Sequence, residues 1–244
     1  MRNIKLTVEY DGTNYAGWQV QARKHRTIQG TLENALQKIL GRRTKIAGSG
    51  RTDAGVHAIG QVANFKTDSA LAVRKLQKAL NAVLPDDISV IKAEEAILDF
   101  HSRFSAKSKV YRYAILNRQA RPALLKDTVY FVPYLLNLKL MQTEARGLLG
   151  RHKFKSFQAA ADKKDSVKTI KNIKVSRGKD FIYIDIEADG FLYNMVRNIV
   201  GTLIDIGRGK LAEGSMKKIL LARNRRCAGP TVPAKGLCLL EVRY

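Results

Sequence analysis

Residues 181–188 read Phe-Ile-Tyr-Ile-Asp-Ile-Glu-Ala, an alternation that places Ile182, Ile184 and Ile186 on one side of the chain. A period of two residues is that of a β-strand with one buried face. Residues 170–176 form a second such run, and Arg177-Gly178-Lys179-Asp180 between the two has the composition of a turn. The stretch therefore predicts an antiparallel pair of strands within a sheet that is buried on one side.

Outward from this pair, short strand patterns alternate with helical repeats towards both ends. We predict further strands near residues 4–10, 61–66, 88–93, 110–116 and 237–244, and helices near 28–40, 71–84, 138–149 and 195–203. Thr27 is the predicted N-cap and Gly41 the stop of the first helix, and Ser215 is the predicted cap of a short later helix. No sequence repeat connects the two parts of the chain.

The pattern predicts an α+β fold of two similar halves, with mixed, largely antiparallel sheets flanked by helices and a cleft between the halves. We place an N-terminal domain at residues 1–105 and a C-terminal domain at 106–244. No apolar run approaches the ~20 residues of a membrane-spanning helix. Cys227 and Cys238 form neither a disulfide framework nor a metal-binding spacing, which favours a cytoplasmic protein.

The charge of the chain points to a polyanionic partner. The 44 Lys and Arg against 21 Asp and Glu give a formal charge of +23, which favours nucleic acid over a merely basic surface. Residues 1–105 carry a net +6 and residues 106–244 a net +17. The densest stretch, residues 151–179, also holds Phe154 and Phe157, whose rings we expect to stack on exposed bases. Predicted RNA-backbone contacts in this stretch are Arg151, Lys153, Lys155, Lys163, Lys164 and Lys168.

A glycine-rich loop carries the candidate chemistry. Residues 48–58 read Gly-Ser-Gly-Arg-Thr-Asp-Ala-Gly-Val-His-Ala, so Asp53 and Arg51 stand among small residues that let a ligand approach the backbone. An ionised carboxylate in a basic setting can act as nucleophile or general base. A plain glycine-rich turn closed by an Asx hydrogen bond is the alternative interpretation.

The run from Gly50 to Ala58 resembles the signature of the tRNA pseudouridine synthase A family. Other segments agree in the family's order, and they are Tyr10-Asp11-Gly12-Thr13, Gly17-Trp18-Gln19, Thr27-Ile28-Gln29-Gly30, Leu80-Asn81, Leu84-Pro85-Asp86-Asp87-Ile88, Arg103-Phe104-Ser105-Ala106, Tyr111-Arg112-Tyr113 and the run from Gly190 to Gly201. The resemblance spans nearly the whole chain. It implies an isomerase that turns uridine into pseudouridine at positions 38, 39 and 40 of the tRNA anticodon arm, as a cytoplasmic homodimer with neither a metal nor an organic cofactor.

The resemblance also implies roles for particular residues. Asp53 matches the family's nucleophile, and its three open routes are attack on C1′, addition to the uracil and removal of the C2′ proton. Tyr111 matches the tyrosine that stacks on the target uracil, and Tyr113 on the same side of the strand is expected to pack. Arg197 matches the partner of the catalytic carboxylate. Because a uridine in a helical arm cannot be reached without flipping, we expect Arg51 to assist in extruding the base and to fill its space.

Each role has a plainer alternative. Tyr111 can be a half-buried strand residue, Arg197 a snorkelling surface cation, and Arg51 an ordinary phosphate contact. Leu237 can line the uracil pocket or belong to the core as Leu239 does. We expect His57 to pack and bond locally, outside the catalytic set.

Two other functional classes remain open. A non-catalytic RNA-binding protein would keep the fold, although Asp53, Tyr111 and Arg197 are all present. A metal-dependent hydrolytic RNA enzyme would need several clustered carboxylates, and no second one stands near residue 53 in the sequence.

The charge leads to a prediction on salt. Because each cation that neutralises a phosphate releases a counterion, we expect the affinity for tRNA to fall by about 10³-fold between ~50 and ~200 mM salt. Filter binding across that range measures it. A flat dependence would show that the +23 charge is not the binding determinant.

Overall fold

The computed structural model describes residues 1–21, 25–159 and 166–244. Its strands are β1 (Arg2–Tyr10), β2 (Ala47–Gly48), β3 (His57–Thr67), β4 (Ile88–Ala96), β5 (Ser108–Leu116), β6 (Tyr130–Phe131), β7 (Gly150–Lys153), β8 (Val167–Gly178), β9 (Phe181–Ala188) and β10 (Leu237–Arg243). Its α-helices are α1 (Ile28–Leu40), α2 (Val73–Val83), α3 (Leu138–Arg146), α4 (Met195–Gly207) and α5 (Ser215–Ala222). The α+β class with largely antiparallel pairing is confirmed.

The chain divides into two compact units. Unit 1 comprises Met1–Lys107 with Cys238–Tyr244, and unit 2 comprises Ser108–Leu237. The boundary predicted after residue 105 lies close to this division. The last residues, which the sequence pattern places in the C-terminal domain, contribute most of β10 to unit 1, because Cys238 and Leu239 pair with His57 and Ala58 of β3. That pairing joins segments far apart in sequence, which no local pattern indicates.

The sheet of unit 1 is built around β1. This strand pairs antiparallel with β3 on one side and β4 on the other, and β2 adds to β3. Leu6 and Val8 of β1 are fully buried, as the alternation from residue 4 to residue 10 predicts. Helix α2 packs on β4 and α1.

Helix α1 begins and ends where the sequence predicts. The Thr27 hydroxyl accepts a hydrogen bond from the Gly30 amide, and Gly41 takes the left-handed conformation with φ 69°. This confirms both predicted ends. The helix therefore holds Gln29 and Glu33, which face the candidate site, in a defined place.

The sheet of unit 2 contains the antiparallel pair that the sequence predicts between residues 170 and 188, which forms β8 and β9. β9 pairs antiparallel with β5 and β8, and β8 pairs with β7. Ile182, Ile184 and Ile186 are fully buried, so the predicted face is confirmed. The edge strand β7 was not predicted, because its four residues, Gly-Arg-His-Lys, carry no apolar alternation.

The predicted cap of α5 is wrong. Ser215 is the first helical residue, Gly214 stands at the N-cap with φ 80°, and the helix has no local side-chain cap. Instead the buried carboxylate of Glu144 on α3 accepts hydrogen bonds from the amides of Gly214 (2.7 Å) and Met216 (2.9 Å). A carboxylate from a distant helix thus satisfies the free amides and favours the positive end of the helix dipole.

Helix α4 is buried along most of its length, with Ile199, Val200 and Leu203 fully inaccessible. Among the described residues, no helix is long and apolar enough to cross a membrane.

Gly201 lets the segment at Pro230 lie directly on α4, because a Cβ at residue 201 would stand 1.9 Å from the Pro230 carbonyl oxygen.

We expect Gly201→Ala to lower the free energy of unfolding by about 2–3 kcal/mol, because backbone would have to move to admit the methyl group. Urea unfolding followed by circular dichroism measures the change. Gly178→Ala is the matched control, since a Cβ there meets nothing closer than 3.9 Å, and we expect it to stay within ~0.5 kcal/mol. Equal midpoints for the two variants would contradict this packing argument.

Candidate active site

The loop that carries Asp53 runs from β2 to β3 and is held through its own backbone. Trp18 donates its amide to the Thr52 carbonyl (3.1 Å), and Val56 donates to the Asp53 carbonyl (3.2 Å). Gly55 takes a positive φ of 76°, which turns the chain back towards β3. The Asp53 side chain is partly exposed, so a ligand can reach a carboxylate on a fixed backbone.

Buried polar side chains support the loop from beneath. The amide of Gln61, fully buried on β3, accepts from the Ser49 hydroxyl (2.6 Å) and donates to the Gly50 carbonyl (3.0 Å). The phenol of Tyr10 bonds the Thr52 hydroxyl (2.8 Å). Burial raises the pKa of Tyr10 above its ordinary value, so this phenol stays protonated and keeps its bond.

Two glycines let a second segment pack against the loop. A Cβ at Gly12 would lie 2.1 Å from the Val56 carbonyl oxygen, and one at Gly17, where φ is +96°, would lie 2.5 Å from the Thr52 carbonyl oxygen. The backbone of the segment from Gly12 to Gly17 thus packs directly on the backbone of the loop. The motifs Tyr10-Asp11-Gly12-Thr13 and Gly17-Trp18-Gln19 therefore act here as a brace for the loop of Asp53.

His57 lies buried where the brace meets the loop. Its Nδ1 accepts from the Gly12 amide (3.1 Å) and lies 3.1 Å from Oδ1 of Asp11. Although partial burial opposes the change, hydrogen bonds from the hydroxyl and the amide of Thr13 lower the pKa of Asp11. His57 packs and bonds locally, as expected from the sequence.

A relay of side-chain amides holds Arg51. Nε of this exposed arginine donates to Oε1 of Gln19 (3.2 Å). Nε2 of Gln19 donates to Oε1 of Gln29 (2.7 Å), and Nε2 of Gln29 donates to Glu33 (3.0 Å). In the described part of the chain, no side chain or carbonyl accepts from the two terminal nitrogens of Arg51. They face outward from a tethered guanidinium.

The direction of the relay follows from its ends. The Glu33 carboxylate and the Ile46 carbonyl can only accept, so the NH₂ of Gln29 faces them. The Val20 amide can only donate, so Oε1 of Gln29 faces it. Gln19 must then present its NH₂ to Gln29 and its oxygen to Arg51. Sequence reasoning missed Gln19 and Gln29 as supporting residues, although both stand in motifs that carried the family resemblance.

Unit 2 positions the tyrosines of β5. Tyr113 is fully buried and its phenol donates to the Pro233 carbonyl (2.7 Å), so it packs as expected. Burial raises the pKa of Tyr113. Tyr111 is 7% exposed and meets Phe191 edge to face, with ring centroids 5.0 Å apart. This contact with an aromatic neighbour restricts the orientation of the Tyr111 ring.

Arg197 lies in the first turn of α4, partly buried at the border of the apolar face. Its Nε donates to the Val232 carbonyl and its Nη1 to Oδ1 of Asn194, both at 2.8 Å. Two such bonds orient the guanidinium plane.

Leu237 begins β10 and is 6% exposed. This burial is compatible both with a wall of the uracil pocket and with a core residue.

The basic stretch differs from its prediction in two respects. Phe154 and Phe157 are fully buried and lie 6.3 Å apart between ring centroids, so the prediction that they stack on bases is wrong. They belong to the core where the turn after β7 packs on α4 and α5, because large aromatic side chains gain much free energy by leaving water.

The cations of this stretch also separate. Register pairs Arg151 with Thr169, Lys153 with Val167 and His152 with Lys168. Because facing residues share a side of the sheet, Lys168 points away from the side of Arg151 and Lys153. Lys155 is exposed on the turn that follows. Lys163 and Lys164 lie outside the described residues.

In the described ranges, no three His, Cys, Asp or Glu side chains gather in a way that could hold a metal ion. The predicted site residues fall into two groups: Asp53 and Arg51 with their supports in unit 1, and Tyr111 and Arg197 with theirs in unit 2.

Comparison with known proteins identifies the family. The model of the tRNA pseudouridine synthase family matches residues 6–105 and 145–244. The chain belongs to this family. Relatives named tRNA pseudouridine synthase A include those of Caldicellulosiruptor bescii (47% identical), Acetivibrio thermocellus (46%) and Clostridium botulinum (48%), each aligned over 100% of both chains.

Solved structures are more distant. A chain from an H/ACA RNP bound to a substrate RNA containing 2′-deoxyuridine matches with a TM-score of 0.36 and 11% identity, over 83% of this chain and 44% of that one. A similarity this low adds nothing to the family assignment.

The relay leads to a prediction for the activity of the family. We expect Gln19→Met to slow pseudouridine formation in tRNA about 10-fold, because Arg51 loses its tether and small misplacements of an active group are costly. In an Arg51→Ala background the same substitution should cause no further loss, since it acts through Arg51. Gln37→Met, an exposed position on α1, is the matched control. Losses that multiply in the double variant would contradict the relay.

Proposed function

We propose that this chain isomerises uridine to pseudouridine at positions 38, 39 and 40 of the tRNA anticodon arm, with Asp53 as the essential carboxylate. Family membership along the full chain supports the reaction class. The observation that carries the choice of Asp53 is its loop, which buried side chains of β1 and β3 hold while its carboxylate stays partly exposed.

The reaction moves one bond of the uracil. The bond between N1 and C1′ breaks, the ring turns, and a bond between C5 and C1′ forms while C5 loses a proton and N1 gains one. In this proposal Asp53 either attacks C1′, adds to the uracil ring or removes the C2′ proton, and the three routes share the need for an ionised, positioned carboxylate.

The other residues act around that step. We propose that Arg197 pairs with Asp53 and keeps it ionised, and that Tyr111 stacks on the target uracil and takes the C5 proton. Arg51 would fill the space of the extruded base, a role suited to a tethered guanidinium with two outward nitrogens. Leu237 would wall the uracil pocket. These assignments require Asp53 of unit 1 and Tyr111 and Arg197 of unit 2 to act on one uridine.

The proposal extends to partners and location. The enzyme would work in the cytoplasm as a homodimer, without a metal or organic cofactor, so that one subunit holds tRNA while the other performs the chemistry. Arg151 and Lys153 are proposed to contact the RNA backbone on one side of the sheet, Lys168 on the other and Lys155 from the turn after β7. Lys163 and Lys164 stay in the set proposed from the sequence.

We expect Asp53→Asn to lower the rate of pseudouridine formation by about 10³-fold or more while tRNA binding stays within a few-fold. Mapping pseudouridine in tRNA after incubation with the pure protein gives both rate and position. Asp86→Asn, at an exposed acid in the turn before β4, is the matched control and should keep full activity.

The outcomes separate the functional classes. An Asp53→Asn protein with full activity would remove Asp53 from the mechanism, and a wild-type protein that binds tRNA without modifying it would be a binding protein only. Complete loss of wild-type activity in chelator would favour a metal-dependent enzyme.

A further inference from the structure

Phe104 is the most exposed aromatic side chain in the described part of the chain, at 76%. It stands in Arg103-Phe104-Ser105-Ala106, a motif that the proposed mechanism leaves unused. A single exposed apolar side chain is common on protein surfaces. Phe104 is distinguished by its fixed neighbours and by the anchored loop that carries it.

Two polar neighbours border the ring of Phe104. The imidazole of His101 lies 4.4 Å away between ring centroids, and the Arg103 guanidinium lies 5.6 Å from the Phe104 centroid. Nδ1 of His101 accepts from the amides of Arg103 (3.1 Å) and Phe104 (3.4 Å). These two bonds fix the orientation of the imidazole.

The loop that presents Phe104 is anchored at the fully buried Ser102. Its hydroxyl donates to the Ala47 carbonyl (2.6 Å), its amide donates to Oδ1 of Asn64 (2.9 Å), and its carbonyl accepts from the Tyr244 phenol (2.8 Å). The Ser105 amide closes the loop onto the His101 carbonyl (2.9 Å). Phe104 is thus exposed on a loop that is already held in place. Little conformational entropy of the protein would therefore be lost when a ligand binds the ring.

The same anchor ties this loop to the loop of Asp53. Ala47 belongs to β2, which pairs with Asn64 of β3, and β2 leads directly into the residues before Asp53. Both loops are therefore anchored to the paired strands β2 and β3 within unit 1.

We propose that Phe104, bordered by His101 and Arg103, is a stacking platform for an unpaired nucleobase of the tRNA other than the target uridine. The inference rests on the proposed function. An exposed ring offers a face to any base, and an adjacent guanidinium adds both a stacking plane and a positive charge for the neighbouring phosphate. None of the described acids pairs with Arg103, and the chain carries a net +23, which suits a polyanion.

A protein partner would use the surface differently. Ile97 and Leu98, exposed by 77% and 51%, precede the loop and would extend an apolar contact. Stacking needs the π-face of residue 104 alone, whereas an apolar docking surface needs only a large hydrophobic side chain there and its apolar neighbours. The two occupants therefore predict different results for leucine at position 104.

The test compares the Kd of an unmodified tRNA transcript for variants in an Asp53→Asn background, in which the substrate is not converted. Phe104→Ala and Phe104→Leu should each raise Kd by about 5- to 150-fold, the range expected for loss of one stacked base. Phe104→Tyr should stay within ~2-fold. Ile97→Ala is the matched control, equally exposed and expected to leave Kd unchanged.

A fluorescent variant provides a direct readout. Trp18 is the single tryptophan and is 2% exposed, so Phe104→Trp adds one exposed indole. Its emission should be quenched on addition of tRNA, saturating at the same concentration as binding, whereas the parent should change little.

Several results would overturn the platform. The first is a Phe104→Leu variant that binds tRNA with the Kd of the parent, and the second is an equal rise in Kd for Ile97→Ala. The third is a change in oligomeric mass of Phe104→Ala by ultracentrifugation. The fourth is an emission of Phe104→Trp that tRNA does not quench. Wild-type pseudouridine formation separates the two proposals. If it is present while Phe104→Ala binds normally, only the platform fails. If tRNA binds unmodified while Phe104→Ala binds weakly, only the proposed reaction fails.

Discussion

The buried amide of Gln61 is the contact on which the candidate site most depends. A loop rich in glycine has little preference for one conformation, yet a carboxylate must be held in place to react. Gln61 resolves the conflict because its amide accepts from Ser49 and donates to the Gly50 carbonyl at the start of the loop. Since Gln61 and Ser49 are both fully buried, losing either side chain would leave the other with an unsatisfied polar group in the core.

The rest of unit 1 follows from that constraint. Tyr10 holds Thr52 from the neighbouring strand, and Gly12 and Gly17 let the preceding segment lie directly on the loop backbone. The relay from Glu33 then extends the same order to an exposed residue, Arg51. Small residues in this part of the chain thus serve close packing between backbones, and polar residues fix the few side chains that reach out.

Unit 2 uses the same physics around another helix. Gly201 admits the Pro230 carbonyl, which brings the segment of Val232 to the start of α4, where its carbonyl orients Arg197. The buried carboxylate of Glu144 accepts hydrogen bonds from the free amides at the N-terminus of α5. In both units a side chain that is distant in sequence completes what the local chain leaves unsatisfied.

Sequence by itself determined the features that depend on local periodicity and local capping. The alternation of Ile182, Ile184 and Ile186 identified a buried strand face, Thr27 and Gly41 bounded α1, and the motif around Asp53 identified the family. Tertiary structure alone decided which aromatic rings are buried and what caps α5. It placed Phe154 and Phe157 in the core, left Phe104 exposed and separated Lys168 from Arg151 and Lys153. Burial and register depend on elements that meet across long stretches of chain, and a local pattern of residue types carries no information about that meeting.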